Sequence, residues 1–409
     1  MTQEERSRRA AEQAARHSYG RLLSYLASRT RDVGAAEDAL ADAFHAALRT
    51  WPGRGVPDNP DAWLLTAARR SLISAHRRQR TREEAAPVVA HLDALGRVAD
   101  AAPVPDDRLS LLFICAHPAI DPAVRAPLML QVVLGLDAAR LSSAFLVTPA
   151  TMSKRLVRAK TRIRQAGLPF AVPDRDALPE RLGDVLEAIY AAFGVAWDEV
   201  VSGAERWHDL AEEALWLARV LVSLLPEAAE ARGLLALMLH SHARRAARRD
   251  ARGRFVPLAE QDASCWDAAL IDEAEQHLAA AAALHAPGPY QIEAAIQSAH
   301  ASRRVTGQVP WMAIAQLHDA LATLTPALGV LVSRAAAIAE ARSVEEALAA
   351  LDALPTDRTA QYQPWWALRA HLLARQGRAP EAREAYARAA GLSSDDTVRT
   401  FLLDRRARI

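Results

Sequence analysis

Over most of the chain from residue 10 onward, apolar side chains recur every three to four positions, and they seldom alternate one-for-one with polar ones as a strand face requires. The filler between them is mostly Ala, Leu, Arg and Glu, all strong helix formers. Stripes of this single period can be buried only by packing helix on helix, so the expected class is all-α. With 409 residues the chain is long enough for two to three domains.

The period and its interruptions place the elements. A first helix is expected over 10–29, with Tyr19, Leu22, Leu23 and Leu26 on its apolar side. A second follows Asp32, with Ala36, Leu40, Ala43, Phe44, Ala47, Leu48 and Trp51 inward, and stops at Pro52-Gly53. A third begins after Asn59-Pro60 and runs through Trp63, Ala67, Leu72 and Ile73 into His76-Arg77-Arg78-Gln79-Arg80. These make a three-helix domain over 1–82. Residues 83–105 lose the periodicity and read as a linker. Helices over 107–117 and 122–134 open a second domain, 106–170.

That domain ends in its most informative stretch. Leu136-Asp-Ala-Ala-Arg-Leu-Ser-Ser-Ala-Phe145 is a short helical segment, Leu146-Val147 a brief turn, and Thr148-Pro149 a strong N-cap followed by a favoured first position. In the helix beyond, Met152, Leu156, Ala159 and Ile163 face a core, while Lys154, Arg155, Arg158, Arg162 and Arg164 lie on the other side. The spacing predicts a helix-turn-helix with a basic second helix suited to a major groove. The bland alternative is a solvated basic surface helix.

Charge supports a division of labour. Residues 1–170 hold 25 Lys and Arg against 17 Asp and Glu, a net +8, and the remainder 25 against 32, a net −7. The first part can neutralise phosphates and the second is repelled by them. Two cysteines, Cys115 and Cys265, make no disulfide framework, and no apolar run is long enough for a membrane span, so a cytoplasmic setting is expected. Cys115-Ala-His117 and His240-Ser-His242 lack a second pair at metal-ligand spacing. No phosphate loop, dinucleotide fingerprint, nucleophile elbow or H-E-x-x-H pattern is present, so neither an enzyme nor a cofactor is expected. The Arg-rich stretch 244–262 reads as a solvated loop or as a surface for an acidic partner.

From Pro179 the chain is a series of Ala- and Leu-rich helices punctuated by Pro and Gly. Trp366, Ala370, Leu373, Gly377, Ala382, Tyr386 and Ala389 fit a tetratricopeptide pattern, and Ala347 falls 35 residues before Ala382. Residues 171–409 are therefore expected to be a helical, tetratricopeptide-like extension. A non-repeating helical domain is the alternative.

The motifs Ala36-Glu-Asp-Ala-Leu-Ala-Asp-Ala-Phe44, Pro60-Asp-Ala-Trp-Leu-Leu-Thr-Ala-Ala-Arg69 and Arg77-Arg78 resemble region 2 of the extracytoplasmic-function (ECF) sigma factors, and 136–166 resembles their region 4. The segments Glu260-Gln-Asp262, Trp266-Asp267, Gly288-Pro-Tyr-Gln291 and Trp311 with Ile314 resemble the subgroup with a C-terminal tetratricopeptide-like extension of the DUF6596 type. The resemblance implies core RNA polymerase and promoter DNA as partners. It implies polymerase docking through Asp38, Asp42, Phe44 and Leu48. It implies contact with the −10 element through Trp63, Arg70, His76, Arg77 and Arg78, with Trp63 read as either a stacking or a core residue. It implies contact with the −35 element through Thr151, Ser153, Lys154, Arg155 and Arg158. A small DGPF/YCII-type protein or another signal acting on the extension is a further implied partner. The chain departs from the family pattern at Arg70 and Ser74, at Gly194-Val-Ala-Trp197 and at Cys115-Ala-His117. A helix-turn-helix regulator or a tetratricopeptide-type adaptor that never loads onto polymerase is the competing reading.

Overall fold

Helix starts fall where the sequence supplies capping oxygens. Asp32 accepts from the Ala35 N–H (3.1 Å), Asn59 from Ala62 (3.1 Å), Asp121 from Ala123 (3.0 Å) and Thr148 from Thr151 (3.2 Å). The computed structural model describes residues 3–79, 106–145, 147–174, 176–199, 206–393 and 395–409, so the 83–105 linker lies outside the described residues. Among the described residues there are twenty α-helices and no strand beyond an isolated bridge between Arg249 and Phe255. The chain divides into two units, Met1–Ala196 with Glu212–Leu217, and Trp197–Ala211 with Ala218–Ile409.

The first unit contains α1 (Gln3–Thr30), α2 (Val33–Arg54), α3 (Pro60–Gln79), α4 (Arg108–Cys115), α5 (Pro122–Leu134), α6 (Ala138–Ala144), α7 (Pro149–Gln165) and α8 (Leu178–Glu199). Helix α1 is the spine and starts seven residues ahead of the expected position. Its Leu22, Leu23 and Leu26 are fully buried. On one flank Asp61 of α3 accepts from Ser18 (2.9 Å) and Arg21 (2.5 Å), and buried Arg69 donates to the Tyr25 hydroxyl (2.8 Å). On the other flank α1 meets α5 at Gly20, where a Cβ would sit 2.2 Å from the Val133 carbonyl oxygen. Only a residue without a side chain permits that approach. Gly20→Ala is therefore expected to destabilise this unit by ~2 kcal/mol, since backbone rather than a side-chain tip must yield. Gly53→Ala, with nothing within 4 Å, should be neutral or slightly stabilising; urea midpoints read by circular dichroism compare the two.

Helix α8 belongs to this unit through a specific clasp. Buried Arg125 of α5 donates to Asp184 (2.6 Å) and to the Ile120 carbonyl (3.1 Å), and Arg181 donates to the Phe113 carbonyl (2.5 Å). A buried guanidinium needs such partners, and they carry the unit past residue 170, where the periodicity alone placed the end of the domain. His117, the residue of the Cys-Ala-His motif, accepts from the Ala119 N–H through Nδ1 (3.1 Å), which gives it a role in the turn.

In the second unit the helices are α9 (Arg206–Leu224, part of which falls in the first unit), α10 (Ala229–Ala243), α11 (Ala268–Ala283), α12 (Pro289–Ala301), α13 (Arg303–Thr306), α14 (Trp311–Leu324), α15 (Leu328–Ala341), α16 (Val344–Asp352), α17 (Thr356–Thr359), α18 (Gln363–Arg375), α19 (Ala379–Leu392) and α20 (Asp396–Ala407). Helices adjacent in sequence pack on one another, α10 on α11, α14 on α15 and α18 on α19. Ala370, Leu373, Ala382, Tyr386 and Ala389 are buried between α18 and α19, and Gly377 turns between them at φ +75. Trp365 is the tryptophan seated deepest in this core, while Trp366 is half-buried. Gly288-Pro-Tyr-Gln291 proves to be a joint: Glu230 accepts from the Tyr290 and Gln291 N–H groups (3.0 and 3.1 Å), placing a carboxylate at the N-terminus of α12. Within the Arg-rich loop Asp250 takes the Arg252 and Arg254 N–H groups (both 2.9 Å) and the Arg254 side chain (2.7 Å).

Two histidines of this unit tie its stability to pH. Burial, and then the charge of Arg244, hold both His240 and His300 down at about 4. Their folded values lie below the unfolded one, so protonation favours the unfolded chain. Stability present above about pH 6.5 is lost as the pH falls towards 4, by at most roughly 3 kcal/mol per histidine. Glu293, pushed up to about 7 by burial and Glu230, acts in the opposite sense. The melting temperature should drop less between pH 7 and pH 5 in His300→Asn than in the unmodified protein.

Candidate nucleic-acid interface

Helix α7 presents three distinct faces. Met152, Leu156, Ala159 and Ile163 are buried, as their spacing requires. Ser153, Lys154, Arg155 and Arg158 are exposed, as is Arg162, and none of these four cations has a carboxylate within 4 Å among the described residues. The third face is turned to α2, where Lys160 pairs with Glu37 and Arg164 with Asp32 (3.1 Å). The six cations thus fall into two sets, two neutralised by α2 and four left to solvent. Thr151 is half-buried and shares a hydrogen bond with the Thr148 hydroxyl (2.9 Å), so it braces the cap as well as lying at the start of the basic face. Ahead of α7, α6 follows the αL turn at Gly135 (φ +73), and the Val147 N–H closes the connection onto the Ser142 carbonyl (3.0 Å).

Helix α2 carries the second group. Val33, Ala36, Ala39, Leu40, Ala43, Ala47 and Trp51 are buried. Asp38, Ala41, Asp42, His45, Leu48 and Arg49 are exposed along the opposite side. Leu48, one of the residues that the periodicity turned inward, is 50% exposed, because it lies toward the edge of the apolar stripe, where no helix among the described residues covers it. Phe44 is half-buried, stacked on Tyr19 with ring centroids 6.4 Å apart. Asp42 accepts from the Ser71 hydroxyl of α3 (2.6 Å), while Asp38 is exposed one turn away. The result is an exposed strip that carries Asp38, Asp42, His45 and Arg49 beside an apolar edge at Leu48.

Helix α3 carries the third group. Trp63 is half-buried and packs edge-on against fully buried Trp51, centroids 5.5 Å apart. Arg70 is exposed. The side chains of His76, Arg77 and Arg78 lie outside the described residues. The chain reading missed Asp32 and Glu37 as partners of α7, and nothing in their own neighbourhood signals that role, since the contact spans more than 120 positions.

Comparison with known proteins bears on this geometry. The sigma-70 region 2 family matches residues 15–82, the segment forming most of α1, with α2 and α3. A family of unknown function, DUF6596, matches residues 181–282. An uncharacterised protein of Rhizobium meliloti (strain 1021) is 38% identical over 390 residues, covering 94% of this chain and 91% of its own. No solved structure matches. Among the described residues no helix is long and apolar enough to cross a membrane. The chain shares a family with its Rhizobium relative over nearly its full length, and the region 2 match over α2 and α3 together with the DUF6596 match makes it a sigma-70 family factor, of the kind that binds core RNA polymerase, with a C-terminal DUF6596 extension.

Proposed function

We propose that this protein is an ECF-type sigma factor that performs no chemistry of its own. It loads onto core RNA polymerase through the exposed strip of α2, engages the −10 element through α3 and the −35 element through a helix-turn-helix formed by α6 and α7, and is governed by its tetratricopeptide-like extension. The observation that carries this reading is the division of cations on α7. Four guanidinium and ammonium groups without a carboxylate partner among the described residues, on the exposed side of a capped helix and in the same chain as a region 2 domain, give two separate DNA-facing modules rather than one. A polymerase-independent regulator needs no region 2.

Run-off transcription of genomic DNA by purified core polymerase, with and without the full chain, tests it. New starts that depend on the protein and share a two-part upstream motif are expected. An absence of both new starts and polymerase binding overturns the reading. In this proposal the signal reaches the extension, either as a small DGPF/YCII-type protein, for which co-purification is the check, or as a ligand. Truncations meant to isolate the promoter-binding part should keep α8, because Arg125 and Phe113 are clasped by it.

A further inference from the structure

Within the second unit, α12, α14, α15 and α18 and the loop 258–266 line a half-open cavity of about 600 Å³, in the range of small-molecule sites. Ile296, Val309, Ile314 and Leu372 make much of its wall apolar. Two polar atoms belong to residues of that wall and have no hydrogen-bond partner among the described residues, Trp266 Nε1 and His318 Nδ1. Trp266 is 3% exposed and His318 8%. Both atoms are shut off from solvent, so they sit behind the cavity surface rather than on it.

A charge accompanies them. Arg303 also lines the cavity, stacked over the Trp266 ring with its guanidinium carbon 4.9 Å from the centroid. It donates to the carbonyls of Leu258 (3.3 Å), Ala259 (3.1 Å) and Gln261 (2.8 Å), and no carboxylate lies within 4 Å of it among the described residues. Carbonyls orient a guanidinium without cancelling its charge. The anionic group in the wall, Glu340, is already paired with Arg375. Just behind, Arg244 donates to Gln297 of the lining (2.5 Å). Burial and the charges of Arg248 and Arg303 push Arg244 down to about 10, well above neutral pH, so it too remains a cation. Burial keeps His300 and His318 neutral, so they supply hydrogen-bonding imidazoles.

We propose that this cavity is a binding site for a small amphipathic carboxylate, its apolar body between α12, α14 and α18 and its carboxylate facing Arg303. A volume of this size admits one small molecule, and an apolar wall beside a guanidinium held by carbonyls, with no carboxylate within 4 Å among the described residues, matches an apolar acid. The use of this site as the signal input to the extension rests on the sigma-factor reading; binding itself does not, and it is measured on the protein alone, without polymerase.

The test is calorimetric titration of the full chain with sodium octanoate and sodium benzoate, and with octylamine and benzylamine as cationic counterparts. One-to-one saturable binding of at least one carboxylate is expected at about 1 mM or tighter, with both amines at least tenfold weaker. Ala336→Trp, which fills the cavity from α15, should abolish binding. Arg303→Gln should weaken it at least tenfold and erase the preference for anions. Because Arg303 also holds the 258–261 loop, Ala336→Trp is the deciding variant, with its circular dichroism and melting temperature checked against the unmodified protein. No saturable binding of either carboxylate, amines binding as well as acids, or binding undiminished in a folded Ala336→Trp protein would each overturn the proposal.

Discussion

Reversing two charges on α2, Asp38→Arg with Asp42→Arg, is expected to weaken binding to core RNA polymerase by roughly 100-fold or more, about 3 kcal/mol, because like charges brought face to face across an interface cost several kcal/mol. Both carboxylates are exposed, and among the described residues their side chains take one hydrogen bond, from Ser71 to Asp42, so the fold has little to lose. Circular dichroism and melting temperature should stay close to those of the unmodified protein while co-elution with polymerase disappears. Leu48→Asp, on the same exposed side, should weaken binding to a smaller degree. A double variant that still binds polymerase normally would remove α2 as the docking surface and with it the main ground for preferring a sigma factor over an ordinary DNA-binding regulator.

The second large effect concerns α7. Replacing Lys154, Arg155 and Arg158 together by Ala should reduce promoter complex formation by about 100-fold, each contact being worth on the order of 1 kcal/mol or more. It should also make the dependence of log affinity on log salt shallower by about 2 to 3, since up to three phosphate neutralisations are removed. None of the three side chains has a carboxylate within 4 Å among the described residues, so polymerase binding and folding should be unchanged. The contrasting substitution is Lys160→Ala. That side chain is committed to Glu37, so its loss should act on how α7 is held against α2 and leave the salt dependence close to that of the unmodified protein. Equal effects on the salt slope from the two substitutions would mean that the division of cations on α7 does not describe its contact with DNA.

The all-helical class, most helix starts, the capped basic helix and most buried residues of α2 and α7 were legible in the sequence, because each depends on local rules: period, capping oxygens, and breakers such as Gly135; the stop expected at Pro52-Gly53 was not met, since α2 runs through both residues to Arg54. The position of Leu48 was less legible. A residue toward the edge of an apolar stripe is covered or bare according to which helix happens to lie beside it, and here none among the described residues does. The same holds for Trp63, whose half-burial is set by its contact with Trp51 on another helix.

What the sequence determined by itself is therefore the set of elements and the chemistry each one offers: a basic exposed face on α7, an acidic one on α2, and amphipathic helices whose neighbours in the chain are also their neighbours in space. What only the tertiary structure decided is which of those groups are spent on one another. Asp32 and Glu37 take up two of the α7 cations, Arg125 and Asp184 draw α8 into the first unit, and Trp266, Arg303 and His318, far apart in the chain, come to line one cavity. Long-range pairing of this kind depends on the packing angles and separations of whole helices, which no local pattern encodes, and it is the pairing that leaves some charges free for a partner and removes others.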